Sequence, residues 1–155
     1  LRLSPVNCRE LVADCIRNLS VFAAERQVRL IAELDHELPL LQADEQLLIQ
    51  AVGNLLSNAV KYSPPNTEVI TTALFNQNHI VITVRDQGFG IPPEARERIF
   101  EKFYRLERDT SSNVVGTGLG LPLVREIVEQ HGGQILVESM LNSGSSFSIY
   151  LPVRR

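Results

Sequence analysis

Two asparagines, Asn54 and Asn58, stand four residues apart in the run NLLSNAVKYS, with Lys61 and Tyr62 just behind them. On a helix these four side chains fall within an arc of roughly 100° and point one way along two turns. Leu48, Ile49, Val52, Leu55, Leu56, Ala59 and Val60 share a different, apolar face. Such an arrangement suits a solvated helix face, a pair of capping amides or a polar ligand. Asparagine is a poor helix former, and two in one helix cost roughly a few tenths of a kcal/mol each relative to alanine. A ligand met by both amides would offset that cost.

Two further stretches have chemistry to offer. DQGFGIP (86–92) leaves an apolar run with an aspartate followed by two glycines spaced by one. Glycines there allow a sharp turn and the approach of a flat ligand without a Cβ in the way. An aspartate at a strand end can accept a hydrogen bond from an exocyclic amine, or simply form an Asx-type turn. GTGLGL (116–121) is a glycine-rich turn leading straight into a helical pattern. Backbone N–H groups and the positive helix end make such a turn an anion site suited to phosphates. It is not the dinucleotide fingerprint, which needs a surrounding strand–helix–strand unit and a later ribose-binding acid. It is not a Walker loop, because no Gly-Lys-Ser/Thr follows.

The elements that must hold these residues follow from periodicity and punctuation. Residues 1–6 suggest a short strand, and Asn7 caps a helix to about Arg26 with Leu11, Ile16, Leu19 and Phe22 among its apolar positions. VRLIAEL (28–34) alternates as a strand, with a second one over 38–42. Asp44 caps the helix that carries both asparagines, and SPPN stops it after Lys61 or Tyr62. Residues 68–76 and 79–86 read as a hairpin through Gln77-Asn78. PPEARERIF (92–100) reads as a short helix with proline in its first turn. Residues 104–118 lack a consistent period and read as a mobile loop. LGLPLVREIVEQHGG is a helix ending in glycine, and QILVESM and SSFSIYLPV close the chain as a hairpin around NSGS. Hairpins mixed with irregularly placed helices predict a two-layer α+β sandwich: a mixed, mostly antiparallel sheet backed by about three helices.

The chain has 155 residues, enough for one domain with a real core. A net charge of −3 offers no electrostatic reason to expect nucleic acid or an anionic membrane. No apolar run approaches about 18 residues, and no signal-peptide pattern opens the chain. LRLSPVN lacks an initial Met and reads as cut from a longer parent. Cys8 and Cys15 lie two helical turns apart, too far for a bridge, and read as free thiols of a reducing compartment without metal-ligand spacing.

Taken in order, the motifs resemble those of the catalytic and ATP-binding domain of bacterial sensor histidine kinases, in the superfamily shared with gyrase, MutL and certain ATP-dependent chaperones. NLLSNAVKYS resembles the N box, DQGFGIP the first glycine box, IFEKFYR (99–105) the F box and GTGLGL the second glycine box. The resemblance spans nearly the whole chain and implies the Bergerat-type ATP-binding fold. It further implies that Asn58 gives an oxygen to Mg²⁺, that Asn54 supports the metal's water shell, and that Lys61 contacts phosphate beside Tyr62 at the nucleoside. Asp86 would read the adenine amino group, with Gly88 and Gly90 admitting the base. Gly116, Gly118 and Gly120 would cradle phosphates with the Thr117 hydroxyl. Ile91, Leu119 and Leu121, inside the two glycine boxes, count among the nucleotide-binding positions. The loop from Tyr104 to Val115 corresponds to the ATP lid, anchored by Phe100 and Phe103, with Arg105 reaching phosphate charge. Asn54, Lys61 and Arg105 are then the catalytic candidates.

Gyrase-like relatives carry a glutamate where this chain has Asn54, and an amide cannot serve as a base. That favours transfer to a protein acceptor over hydrolysis. In the family the acceptor is a histidine on a preceding two-helix dimerisation domain. None of His36, His79 and His131 opens an acceptor-like helix, so all three read as surface or capping residues. The implied partners are ATP, the dimerisation domain of the parent and, indirectly, a response regulator. The implied setting is a cytoplasmic domain, monomeric alone, of a homodimeric parent whose attachment to the inner membrane is open. The other function class is a noncatalytic or regulatory nucleotide-binding module or an anti-sigma-type serine kinase.

Overall fold

The computed structural model describes residues 1–102, 120–139 and 141–153. β1 (Ser4–Val6) pairs antiparallel with β3 (Leu41–Ala43) as a small separate ribbon. The main sheet has five strands in the order β2 (Val28–Leu34), β4 (Thr67–Asn76), β5 (His79–Asp86), β7 (Ser145–Pro152) and β6 (Gln134–Ser139). Only β2 and β4 are parallel; the other neighbours are antiparallel. Among the described residues four helices accompany it: α1 (Cys8–Asn18), α2 (Ser20–Glu25), α3 (Glu45–Lys61) and α4 (Gly120–Gln130). This is the expected two-layer arrangement.

Local chemistry accounts for the element ends. Asn7 accepts from the Glu10 N–H at 3.1 Å and starts α1. The expected single helix to Arg26 is two, because Leu19 closes α1 with a bond to the Ile16 carbonyl. Asn18 and Ser20, both weak helix formers, flank that break. Gln77 and Asn78 both take positive φ, 48° and 65°, as a two-residue primed turn between β4 and β5 requires. The strand expected over 38–42 is confined to β3, and it joins β1 rather than the main sheet. Residues 92–100 form two 3₁₀ turns, Pro93–Ala95 and Arg98–Phe100, rather than an α-helix. So short a segment closes with i→i+3 bonds, from the Ala95 N–H to the Pro92 carbonyl and from the Glu101 N–H to the Arg98 carbonyl, both 2.9 Å.

One apolar core lies between the layers. Val12, Leu48, Val52, Leu56, Val60, Val124 and Ile127 from the helices meet Val69, Ile80, Ile82, Ile149 and Leu151 from the sheet. A smaller cluster of Ile91, Ala95 and Ile99 packs with Phe100, Leu121, Val137 and Phe147, and so ties residues 91–100 to α4 and the last hairpin. Arg125 of α4 adds to that tie, its guanidinium 5.1 Å from the Phe100 ring. Both cysteines are free and buried. Among the described residues no helix is long and apolar enough to cross a membrane.

Candidate functional site

α3 begins on Asp44, whose carboxylate accepts from the Leu47 N–H at 3.3 Å and the Arg2 N–H at 2.9 Å. The Arg2 and Leu47 backbone donors hold this carboxyl below its usual range. His131, buried at the end of α4, locks the same corner. Its Nε2 accepts from the Asp44 N–H at 3.0 Å, and Nδ1 donates to the Ile127 carbonyl at 2.8 Å. His131 is therefore a buried linker of two helix ends, while His36 is exposed and His79 bonds within the β4–β5 turn.

The inner face of α3 buries Leu48, Ala51, Val52, Leu55, Leu56, Ala59 and Val60. Asn54, Asn58, Lys61 and Tyr62 are half-buried along its polar side. Because α3 packs along α4, Asn58 faces the first residue of that helix. A Cβ built on Gly120 would lie 3.7 and 3.9 Å from the Asn58 Nδ2 and Oδ1 atoms. Among the described residues the side-chain amides of Asn54 and Asn58 make no hydrogen bond, so neither serves as a structural cap. The Asn58 amide thus stands beside the positive end of a helix, which attracts anions.

Asp86 ends β5 and is buried. Its Oδ1 accepts from the Gly88 N–H at 2.8 Å and the Ser145 N–H at 3.2 Å, so the carboxylate is fixed by backbone from both sides. Gly88 is required by crowding: a Cβ there would come within 2.6 Å of the Tyr62 carbonyl oxygen. The end of α3 and the first glycine box are thereby in backbone contact. Gly144 is required too, since its φ is +91° and a Cβ would overlap the Asp86 carbonyl.

Sheet register places three polar residues in a row. Asp86 is opposite Ser145, and Ser145 is opposite Ser139. The buried Ser139 hydroxyl bonds the Gly144 carbonyl at 3.0 Å, faces the Ser145 hydroxyl at 3.0 Å and accepts from the Ile91 N–H at 2.6 Å. Arg96 donates to the Ser139 carbonyl. The hairpin from 139 to 145 therefore clamps the glycine box and braces Asp86. Sequence reading missed Ser139, Gly144 and Ser145. The one available signal was serine at positions that alternate toward the interior in an otherwise apolar hairpin. A cavity of about 200 Å³ borders this row, lined by Asp86, Ser139 and Ser145 together with Arg85, Glu138 and Ser146 among others.

Of the expected site residues, the structure joins Asn58 to Gly120, Tyr62 to Gly88, and Asp86 to Gly88. Gly90 takes φ +75°, and Ile91 is buried in the small apolar cluster with Leu121 half-buried against it. Tyr104, Arg105, Gly116, Thr117, Gly118 and Leu119, with Phe103 and the rest of the expected lid, lie outside the described residues. Among the described residues no group of three or more His, Cys, Asp or Glu could hold a metal. Among the described residues Asn58 offers a metal at this face an amide oxygen, a donor that fits Mg²⁺ alongside phosphate.

Residues 43–155 match the family model described as histidine kinase-, DNA gyrase B- and HSP90-like ATPase. The chain is 40% identical over 152 residues to the adaptive-response sensory kinase SasA of Rippkaea orientalis, covering 97% of this chain but 37% of that protein. Full-length ShkA in complex with AMPPNP superposes with a TM-score of 0.88 at 32% identity, over 99% of this chain and 31% of that one. The catalytic domain of histidine kinase ThkA in a nucleotide-free form gives a TM-score of 0.86 at 27% identity, over 99% and 97% of the two chains. The chain thus spans well under half the length of its full-length relatives and nearly all of an isolated catalytic domain.

Proposed function

The chain belongs to the family of histidine kinase-, DNA gyrase B- and HSP90-like ATPases, and from that membership we propose that it binds ATP with Mg²⁺ and donates the γ-phosphoryl group to a histidine on the dimerisation domain of a parent sensor kinase. The observation that carries this reading is the meeting of the Asn58 amide with Gly120 at the start of α4. An oxygen donor for a hard cation and a helix end for phosphate then serve one ligand. The AMPPNP held by ShkA supports a nucleotide as that ligand.

In this reading Asp86 accepts from the adenine amine, while Gly88 and Gly90 shape the turn beneath the base and Tyr62 lies against the nucleoside. Lys61, Arg105 and the backbone of 116–121 meet phosphate charge. Bound Mg²⁺, held by Asn58 and supported by Asn54, would supply positive charge to the phosphates. Phosphoryl transfer asks mainly for positioning and charge neutralisation, and these residues offer both. Asn54 cannot take a proton from water, so transfer to a protein nucleophile is favoured over hydrolysis. The domain would act in the cytoplasm, with a response regulator receiving the phosphate from the histidine.

The test is incubation with radiolabelled ATP and Mg²⁺, with and without a two-helix phosphoacceptor domain. The chain alone should bind ATP yet neither label itself nor turn ATP over at a useful rate. With the acceptor domain present, acid-labile, base-stable phosphate should appear on histidine. Stable self-labelling of the chain, or turnover of about one per second, as for an ordinary enzyme, would favour a serine kinase or an ATPase instead.

A further inference from the structure

The end of α3 is held from outside by a residue that none of the four motifs contains. Arg26, which caps the end of α2, donates from Nη2 to the Lys61 carbonyl at 2.9 Å. The carbonyls around it are served within the segment itself: Asn58 by the Tyr62 N–H, Ala59 by the Ser63 hydroxyl and Val60 by the Ser63 N–H. The Lys61 carbonyl is bonded instead by this distant side chain. A cation at that point also complements the negative end of the helix. The Arg26 guanidinium lies 5.8 Å from the Phe22 ring, and its Nε is buried without a hydrogen bond.

The next residue, Gln27, takes φ +59° and its carbonyl accepts from the Asn66 N–H at 2.7 Å. Arg26 and Gln27 therefore pin both ends of the turn from Lys61 to Asn66. Within that turn the Tyr62 carbonyl is the atom that Gly88 must admit. We infer that Arg26 is a positioning residue of the nucleotide site: it sets the Lys61–Tyr62 peptide against the first glycine box and so aims both side chains at the ligand. This rests on the reading above that Lys61 and Tyr62 contact nucleotide.

Arg26→Met keeps the aliphatic stem and removes the donor, whereas Arg26→Lys keeps a charged donor. Affinity for a fluorescent ATP analogue with Mg²⁺ and the thermal midpoint are measured for wild type and both variants. Arg26→Met should weaken binding roughly three- to tenfold, a part of what a lost hydrogen bond from a charged group costs, because the bond holds the site rather than the ligand, and Arg26→Lys should restore most of it. A merely structural role would lower the midpoint and leave the affinity of the folded protein unchanged. A folded Arg26→Met protein within about twofold of wild type would overturn the inference, since that is less than one hydrogen bond. Should that variant unfold, Arg26→Gln, whose amide is too short to reach Lys61, is read by the same criteria. A wild-type chain that binds no nucleotide would overturn the functional reading itself, and this inference with it.

Discussion

Replacing Asp86 by asparagine changes one atom at the centre of the proposed adenine contact. The two backbone donors, Gly88 N–H and Ser145 N–H, both bond Oδ1. An asparagine with its carbonyl oxygen in that place keeps both bonds, so the hairpin and the glycine box should stay where they are. The amide nitrogen then occupies the Oδ2 position and presents a donor where the carboxylate presented an acceptor. An adenine amine, also a donor, loses its partner. A hydrogen bond to a charged group contributes about 1.5–3 kcal/mol. At 1.4 kcal/mol per tenfold, ATP affinity should fall by roughly ten- to 150-fold. Discrimination against GTP should narrow, because the group that distinguishes the two bases is altered. Titration with a fluorescent ATP analogue and competition by ATP and GTP measure both effects, and a thermal midpoint confirms folding. Unchanged ATP affinity in a folded variant would refute the argument that the buried carboxylate reads the base.

Asn58→Ala should fold normally, since the amide makes no hydrogen bond among the described residues, yet uncouple nucleotide affinity from Mg²⁺. Chelation should weaken binding by wild type and scarcely affect the variant, and an equal response in both would place the metal ligand elsewhere. Burial pushes the Cys8 thiol up to about 12, against about 8.5 for an unfolded cysteine. The folded state holds this proton more tightly, so the contribution to stability is complete below about pH 8.5 and is lost as pH rises toward the folded value. Urea midpoints should therefore fall more steeply between pH 8 and 10 for wild type than for Cys8→Ala, and native Cys8 should resist thiol reagents. Parallel pH slopes, or reaction at the rate of an exposed thiol, would contradict this.

Much of the site-bearing architecture could be read from neighbouring residues alone. The polar stripe of Asn54, Asn58, Lys61 and Tyr62 follows from helical period, and Asp44 marks the helix start because a side-chain oxygen three residues ahead of an N–H is a local event. The β4–β5 turn is legible in Gln77-Asn78 for the same reason. Where local rules competed, periodicity was the weaker guide: Leu19 bonds back to Ile16 and divides a helix that period alone would continue, and residues 93–100 close as 3₁₀ turns. The contacts that complete the site are of a different kind. Asp86 meets Ser145 only through the register of β5 on β7, 59 residues apart in sequence. Gly88 meets the Tyr62 carbonyl, and Arg26 the Lys61 carbonyl, through the packing of separate elements. No periodicity or spacing encodes these pairings, because each depends on where two surfaces come to rest rather than on what lies beside a residue in the chain. The sequence by itself determined which residues could do the chemistry, and only the folded sheet and helices decided which groups hold them in place.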